Sequence, residues 1–399
     1  MRAIGIVCEY NPFHTGHQYQ IEQSKTLCGE DAAIVCVMSG DLVQRGEAAL
    51  FPKSVRAEAA VRAGADIVFE LPVPWCVSSA DVFAAGAVEL LAATGCSWLS
   101  FGCENNDEQL LKKAAALDMD EGTQEAIAAL LRKKPTLSFA RARQMVLEEK
   151  ADIPEGLLAS PNNILAISYL KALLCGGYHM TPIPVQRVGA SHDGEEDGAF
   201  RSAMQLRQMM AAGEDVSAWI PEGAWRVYQK AMAEGNMSKR DNWDRILRAR
   251  LIGMDAQSLV TVSDSEHGAG QRLYKTLAEG KDTEQTASDA ATKRYTAARM
   301  RRLLLSAALG LPDAARMHPP YLRLLAMNEK GRRYLHTCGE TAIPILTKPG
   351  DAASLGREAA EVFAAGAKVH DLFQLQFVTN DNKPWGADWR TGPVIVKFA

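Results

Sequence analysis

Two histidines three residues apart, His14 and His17, flank Gly16 in "EYNPFHTGH", just behind a short apolar run. Imidazoles can donate hydrogen bonds to oxygens on which negative charge develops, and a phosphoryl group in transfer is such a centre. Gly16 lets the backbone approach a bound group closely. If the chain turns into a helix here, unpaired N–H groups and the positive end of the helix face the same point. The set suits nucleotidyl transfer, where stabilising charge at phosphorus matters more than a covalent nucleophile. The same spacing also describes a plain helix start or an adventitious metal site, so the surrounding elements decide.

Those elements read as alternating strands and helices. The runs 3–8, 32–38, 66–72 and 96–102 have the continuous apolar character of buried strands. Between them, "GHQYQIEQSKTL", "PKSVRAEAAVRAG" and "SADVFAAGAVELLAAT" have helical spacing, with Pro52 and Ser79 as starts and Gly64 and Gly95 as stops. The repetition predicts an α/β fold, a doubly wound parallel sheet that binds ligands at the carboxyl ends of its strands. Residues 103–150 read as a helical insertion, after which a helix at "NNILAISYLKALL" and a strand at "MTPIPVQRV" resume the pattern. Residues 189–200 read as a Gly- and acid-rich loop before a helix starting near Ser202, and 221–399 as mostly helical. The expected division is a nucleotide-binding catalytic domain at 1–220 and a helical domain at 221–399.

Composition narrows the class. The 399 residues are 47% hydrophobic and 23% charged, ordinary for a globular protein. The longest apolar stretches are too short to span a bilayer, and Glu9 interrupts the first one before it could serve as a signal peptide, so a cytoplasmic protein is expected. Eight cysteines without a CxxC pair indicate neither a zinc site nor a disulfide framework. The net charge of −4 hides a balance of −10 over residues 1–220 and +6 over 221–399, so the second part is the one suited to a polyanion.

"NPFHTGH" resembles the HxGH signature of the nucleotidylyltransferase superfamily. The longer string "GIVCEYNPFHTGH" is similar to one family within it, the tRNA(Met) cytidine acetate ligases. So are "SGDLVQRGEAALFPKSVRAEAAVRAGADIVFELP", "SPNNILAISYL", "PVQRVGASHD" and "KRYTAARMRRLLLSAALG", in order along nearly the whole chain. The resemblance implies a ligase that uses ATP to activate acetate as acetyl-adenylate. The acetyl group then passes to the wobble cytidine of elongator tRNA(Met), giving N4-acetylcytidine. It carries the ATP site to Val7, Cys8, Glu9, Tyr10, Asn11, Pro12, Phe13, His14, Thr15, Gly16, His17, Gln18, Tyr19 and Gln20, and to Gly102, Asn162 and Arg187. Mg²⁺ is expected to accompany ATP, with no all-protein metal cage visible. The superfamily's second phosphate signature corresponds to "RSAMQLR", with Ser202 and Arg207; Met204 stands where a hydroxyl is expected.

Each further residue has a structural reading beside the functional one. Asp41, Gln44 and Arg45 follow the second strand; Arg45 or Gln44 could seat acetate and Asp41 could orient a partner or accept the amine proton, or the loop holds a plain salt bridge. Lys53 and Arg56 are phosphate candidates or surface cations. Gly102 permits close approach of an adenine or ribose, or only turns the chain. Asn162 is a ligand contact or an N-cap. Arg187 offers a planar donor fork at a strand end. His192 reads as a solvated loop histidine. Lys293, Arg294, Arg299, Arg301, Arg302, Arg245, Arg248 and Arg250 form a candidate RNA surface. Two rivals remain: a small-molecule nucleotidylyltransferase, and a noncatalytic RNA-binding protein on the same fold.

Overall fold

In the computed structural model, successive residues of the second strand leave the sheet on opposite sides. Ala33, Val35 and Val37 enter one core, and Ile34, Cys36 and Met38 the other. Both faces are covered, which is why this strand is an unbroken apolar run. The structure describes residues 1–398 except 152, 155–156, 189–199, 266–267 and 378–383, so His192 lies outside the described residues.

The strands are β1 (Ala3–Cys8), β2 (Ala33–Ser39), β3 (Leu42–Val43), β4 (Glu47–Ala48), β5 (Ile67–Leu71), β6 (Trp98–Cys103), β7 (Thr181–Gln186), β8 (Leu322–Met327), β9 (Ile345–Leu346) and β10 (Val394–Ile395). The main sheet runs β10-β8-β5-β2-β1-β6-β7, with β9 also paired to β8, and β3 and β4 form a separate hairpin. Helices α1 (Thr15–Cys28), α2 (Lys53–Arg62) and α3 (Ala80–Ala93) join the first sheet strands. The insertion is α4 (Glu108–Met119), α5 (Glu121–Lys133) and α6 (Phe139–Ala151), with a small core of its own from Ile127, Ala142 and Val146. Then come α7 (Pro161–Gly176), α8 (Ala203–Ala211) and α9 (Glu222–Ala233). The later helices are α10 (Arg240–Leu251), α11 (Ala256–Val260), α12 (Ala269–Leu277), α13 (Thr283–Ala290), α14 (Ala297–Leu309), α15 (Glu329–Cys338) and α16 (Arg357–Gln374).

The doubly wound α/β architecture with a helical insertion is as the sequence predicts, with one difference. The later part of the chain also supplies β8, β9 and β10, and β8 lies antiparallel to β5, so the sheet is mixed. "LRLLAM" hides as a strand because Arg323 breaks its apolar run. Arg323 is tolerated there, 4% exposed, because Glu70 and Asp388 accept its hydrogen bonds. Among the described residues no helix is long and apolar enough to cross a membrane.

The connections β1→β2→β5 step outward on one side of β1, and the chain then crosses back to place β6 on the other side. That reversal opens a crevice at the carboxyl ends of β1 and β6, the place where this class of sheet binds ligands.

Candidate active site

The chain leaves β1 into that crevice and starts α1 there. His14 is the N-cap, with extended backbone (φ −143°, ψ 174°), and its Nδ1 accepts the Gly16 N–H at 3.0 Å. His17 reciprocates, its Nδ1 accepting the His14 N–H at 3.2 Å. The two histidines thus form a capping box, and their rings stack with centroids 3.8 Å apart. A backbone N–H can only donate, so both Nδ1 atoms are unprotonated and both rings carry their proton on Nε2. The pair therefore presents Nε2–H donors and no basic nitrogen. Burial, with the Arg187 charge beside it, pushes His14 down to about 3. His17 is also held well below the usual histidine range, by burial first and then by His14 and Arg187. Neutral imidazoles at neutral pH are hydrogen-bond donors to an anion without being fixed cations.

The turn that delivers them is rigid. Tyr10 sits at φ +44°, a region that costs an L-residue about 1–2 kcal/mol. Its buried ring is packed edge-on against Phe13 and His17 at 4.7 and 4.9 Å, which holds it there. Asn11 Oδ1 accepts the Leu50 N–H at 2.7 Å, and the Phe13 N–H donates to Tyr228 of α9 at 2.9 Å. A Cβ on Gly16 would lie 2.9 Å from the His14 ring, so only glycine leaves that imidazole in place. Two buried polar atoms of this segment, Asn11 Nδ2 and Thr15 Oγ1, have no partner among the described residues. These two unpaired polar atoms, beside the Nε2–H donors of the capped helix start, fit a polyphosphate.

Val7 and Cys8 end β1, Glu9 to Phe13 form the turn, and Thr15 to Gln20, with Gln18 and Tyr19 partly exposed, begin α1. Gln20 donates to Ser100 of β6 at 3.3 Å. A Cβ on Gly102 would meet Arg187 Cγ at 3.5 Å and Gln20 Oε1 at 4.0 Å, so Gly102, Arg187 and Gln20 line one side of the crevice. Asn162 is in the first turn of α7 and not its N-cap, which is Ser160; its amide donates to Glu104. Glu104 also accepts from Ser160 and lies 3.8 Å from Arg187. Glu104 was missed in the sequence because nothing in its spacing distinguishes it from other acids of the insertion. Asn163, also missed, accepts the Glu104 and Asn105 N–H groups and shapes that loop.

The loop after β2 meets the turn after β1. The Gln44 N–H donates to Glu9 Oε1 at 2.8 Å. Arg45 is exposed, and its carbonyl accepts from Arg301 of α14 at 3.1 Å. Asp41 is buried with both oxygens engaged, Oδ1 by the Lys53 N–H at 2.9 Å and Oδ2 by His370 Nδ1 at 2.6 Å. Burial would raise its carboxyl, but His370 and Lys53 reverse this and hold it at about 2. Lys53 and Arg56 do not stand as phosphate ligands. Lys53 is 3% exposed and its ammonium lies against Glu70 and Asp388 at 2.9 and 2.7 Å. Arg56, fully buried, donates to the carbonyls of Glu9, Ser39, Gly40 and Phe51, clamping the ends of β1 and β2.

Ser202 caps α8 in a capping box with Gln205, and Arg207 reaches back to donate to the Asn11 carbonyl at 2.9 Å. The second signature is thus brought to the first, although its hydroxyl is engaged in capping. Met204 is exposed. On the later helices, Arg299 and Arg302 pair with Asp264 at 3.0 and 3.4 Å, and Arg301 with Glu284 at 2.8 Å. Arg248 and Arg250 donate to the Gly280 and Ala308 carbonyls. Lys293, Arg294 and Arg245 are the more freely exposed members.

The chain matches the model of the HIGH Nucleotidyl Transferase family over residues 1–384. It is 38% identical over 348 residues to the tRNA(Met) cytidine acetate ligase of Syntrophotalea carbinolica, covering 84% of this chain and 82% of that one. The enzyme of the same name from Caldicellulosiruptor saccharolyticus is 34% identical over 350 residues, 85% and 86% of the two chains. In three dimensions the chain superimposes on Thermotoga maritima TmcAL bound with alpha-thio ATP with a TM-score of 0.90, at 26% identity, over 99% of this chain and 100% of that one. With this fold and these relatives, the chain belongs to the HIGH nucleotidyl transferases and, within them, to the tRNA(Met) cytidine acetate ligase family.

Proposed function

We propose that the protein activates acetate with ATP as acetyl-adenylate and transfers the acetyl group to N4 of the wobble cytidine of elongator tRNA(Met). The observation that carries this reading is the tautomer of the histidine pair: two Nε2–H donors at the N-terminus of α1, which the same two rings cap through Nδ1, at the sheet's switch point. Such donors stabilise the charge that develops on the α-phosphate as an acetate oxygen attacks it and pyrophosphate leaves. Gln20, Gly102, Asn162 and Arg187 hold the nucleoside side. Arg207, with backbone N–H groups, serves the outer phosphates. Arg45 and the Gln44 side chain seat acetate at the neighbouring loop, while Asp41, buried and doubly bonded, positions that loop.

Among the described residues no three His, Cys, Asp or Glu side chains gather as a metal site. Mg²⁺ would therefore be held mainly by the nucleotide's phosphates, where it neutralises charge. For RNA, the exposed Lys293, Arg294, Arg245 and Arg248 supply phosphate contacts, and the target base must leave its stack to reach the crevice. The working place is the cytoplasm, where tRNA is found.

Acetate-dependent exchange of labelled pyrophosphate into ATP tests the first step without RNA. The reading expects exchange that needs acetate and is lost in His17→Ala; exchange independent of acetate would instead indicate a different acceptor.

A further inference from the structure

The second step of the proposed reaction needs a base. As the cytosine amine attacks the acetyl carbon, the N4–C bond forms, the bond from that carbon to the AMP oxygen breaks, and N4 must lose a proton. We infer that Glu9 is the residue that takes that proton, through its free carboxylate oxygen. The inference rests on the adenylate reading above.

The other titratable groups of the crevice are excluded by what they already bond. His14 and His17 have their Nδ1 lone pairs occupied by backbone N–H donors and carry protons on Nε2, so neither can accept one. Asp41 has one oxygen on the Lys53 N–H and the other on His370, and is buried. Glu104 is engaged by Ser160, Asn162 and Arg187. Glu47 lies between Arg207 and Arg301 at 3.8 and 3.7 Å.

Glu9 differs from all of these. It stands at the carboxyl end of β1, five residues before His14, and is only partly buried. Oε1 accepts the Gln44 N–H at 2.8 Å, which fixes the carboxylate between the nucleotide segment and the acetate loop. Oε2 carries no hydrogen bond or ion pair among the described residues. On the reading above, Glu9 stands between the segment that binds the phosphates and the loop that seats acetate, the two groups that the reacting carbon joins.

The charges around it suit the task. Burial pushes the Glu9 carboxyl up, against the Gln44 N–H and the Arg207, Arg56 and Arg45 charges, which pull it back. Cys76 and Tyr169 also face it, and burial keeps both neutral. A carboxylate raised toward neutrality is a better proton acceptor than Asp41 at about 2. After transfer the proton leaves Glu9 to solvent and AMP departs as the anion.

The test compares two reactions of the full-length protein, wild type and Glu9→Gln: acetate-dependent pyrophosphate exchange without RNA, and acetyl transfer from labelled acetate to tRNA(Met). Glutamine can still accept the Gln44 N–H, so the turn is preserved. The ratio of transfer to exchange is expected to fall about 100-fold or more, the usual scale of a lost general base, and Glu9→Asp to recover part of it. The wild-type transfer rate should rise with pH through a carboxylate limb that the glutamine variant lacks. Equal loss of both reactions, or unchanged transfer in Glu9→Gln, would overturn the assignment. If the variant does not fold, a wild-type transfer rate without a carboxylate limb overturns it. A wild-type protein with no acetate-dependent exchange would overturn the adenylate reading itself, a failure that needs no variant to detect.

Discussion

His370 Nδ1 lies 2.6 Å from Asp41 Oδ2, joining α16 to the loop after β2 across 329 residues of sequence. The second ring nitrogen of His370 contacts the Gln374 amide, and both members of the pair are buried. Burial would lower the histidine, but Asp41 and Asp388 reverse this and raise it. A raised histidine stabilises the fold fully below its ordinary value near 6.5 and loses that contribution as pH rises through the raised value. Asp41, lowered to about 2, stabilises above its ordinary range and loses this as pH falls toward 2. His370→Ala should therefore cost about 3 kcal/mol near pH 6, the scale of a broken buried ion pair. Denaturant unfolding at pH 6 and at pH 9.5 should show that deficit shrinking at the higher pH.

The histidine pair makes a prediction that separates folding from chemistry. Asparagine is a good N-cap, so His14→Asn should keep stability within about 1 kcal/mol of wild type. It removes the Nε2–H donor, and pyrophosphate exchange should fall about 10²–10³-fold. Because His14 is pushed down to about 3 and His17 lies well below its usual value, neither should titrate between pH 5.5 and 8 in the free protein. Their shared stabilisation is present above about 6.5 and fades as pH falls. Imidazole NMR resonances followed against pH check this directly.

Gly46 has φ +78°, and a Cβ there would lie 2.7 Å from the Arg302 N of α14, a backbone atom that cannot swing away. Gly46→Ala must separate the loop from the helix. It should lower stability by about 1–3 kcal/mol through strain and raise the acetate KM more than the ATP KM, measured by exchange.

How much of this was legible in the sequence follows from how local each signal is. The β1 turn, the start of α1 and a ligand site at the carboxyl ends of the strands were readable because an apolar run, two histidines and a glycine lie within residues 3–17; the histidine capping box and the strand order that makes this a switch point were not. Lys53 and Arg56 read as phosphate candidates or surface cations because the carboxylates and carbonyls that bury them come from β2, β5 and the segment around Asp388. The partnership of His370 with Asp41 had no local trace at all. The strand around Arg323 was hidden for the same reason: its compensating acids, Glu70 and Asp388, are 253 and 65 residues away.

The basic helices give a prediction about RNA. Arg302 is mostly buried against Asp264, so Arg302→Ala should reduce stability more than RNA affinity. Lys293→Ala with Arg294→Ala should leave stability nearly unchanged, weaken tRNA binding, and lower the slope of log affinity against log salt by about 1–2. Binding measured over a salt series reads both effects.

The central claim is tested most directly by mass spectrometry of nucleosides from unmodified tRNA(Met) transcript incubated with the protein, ATP, Mg²⁺ and isotopically labelled acetate. The account predicts labelled N4-acetylcytidine at the wobble position, absent when ATP or acetate is withheld and absent with His17→Ala. Folded, tRNA-bound protein that leaves the cytidine unmodified under these conditions would contradict it.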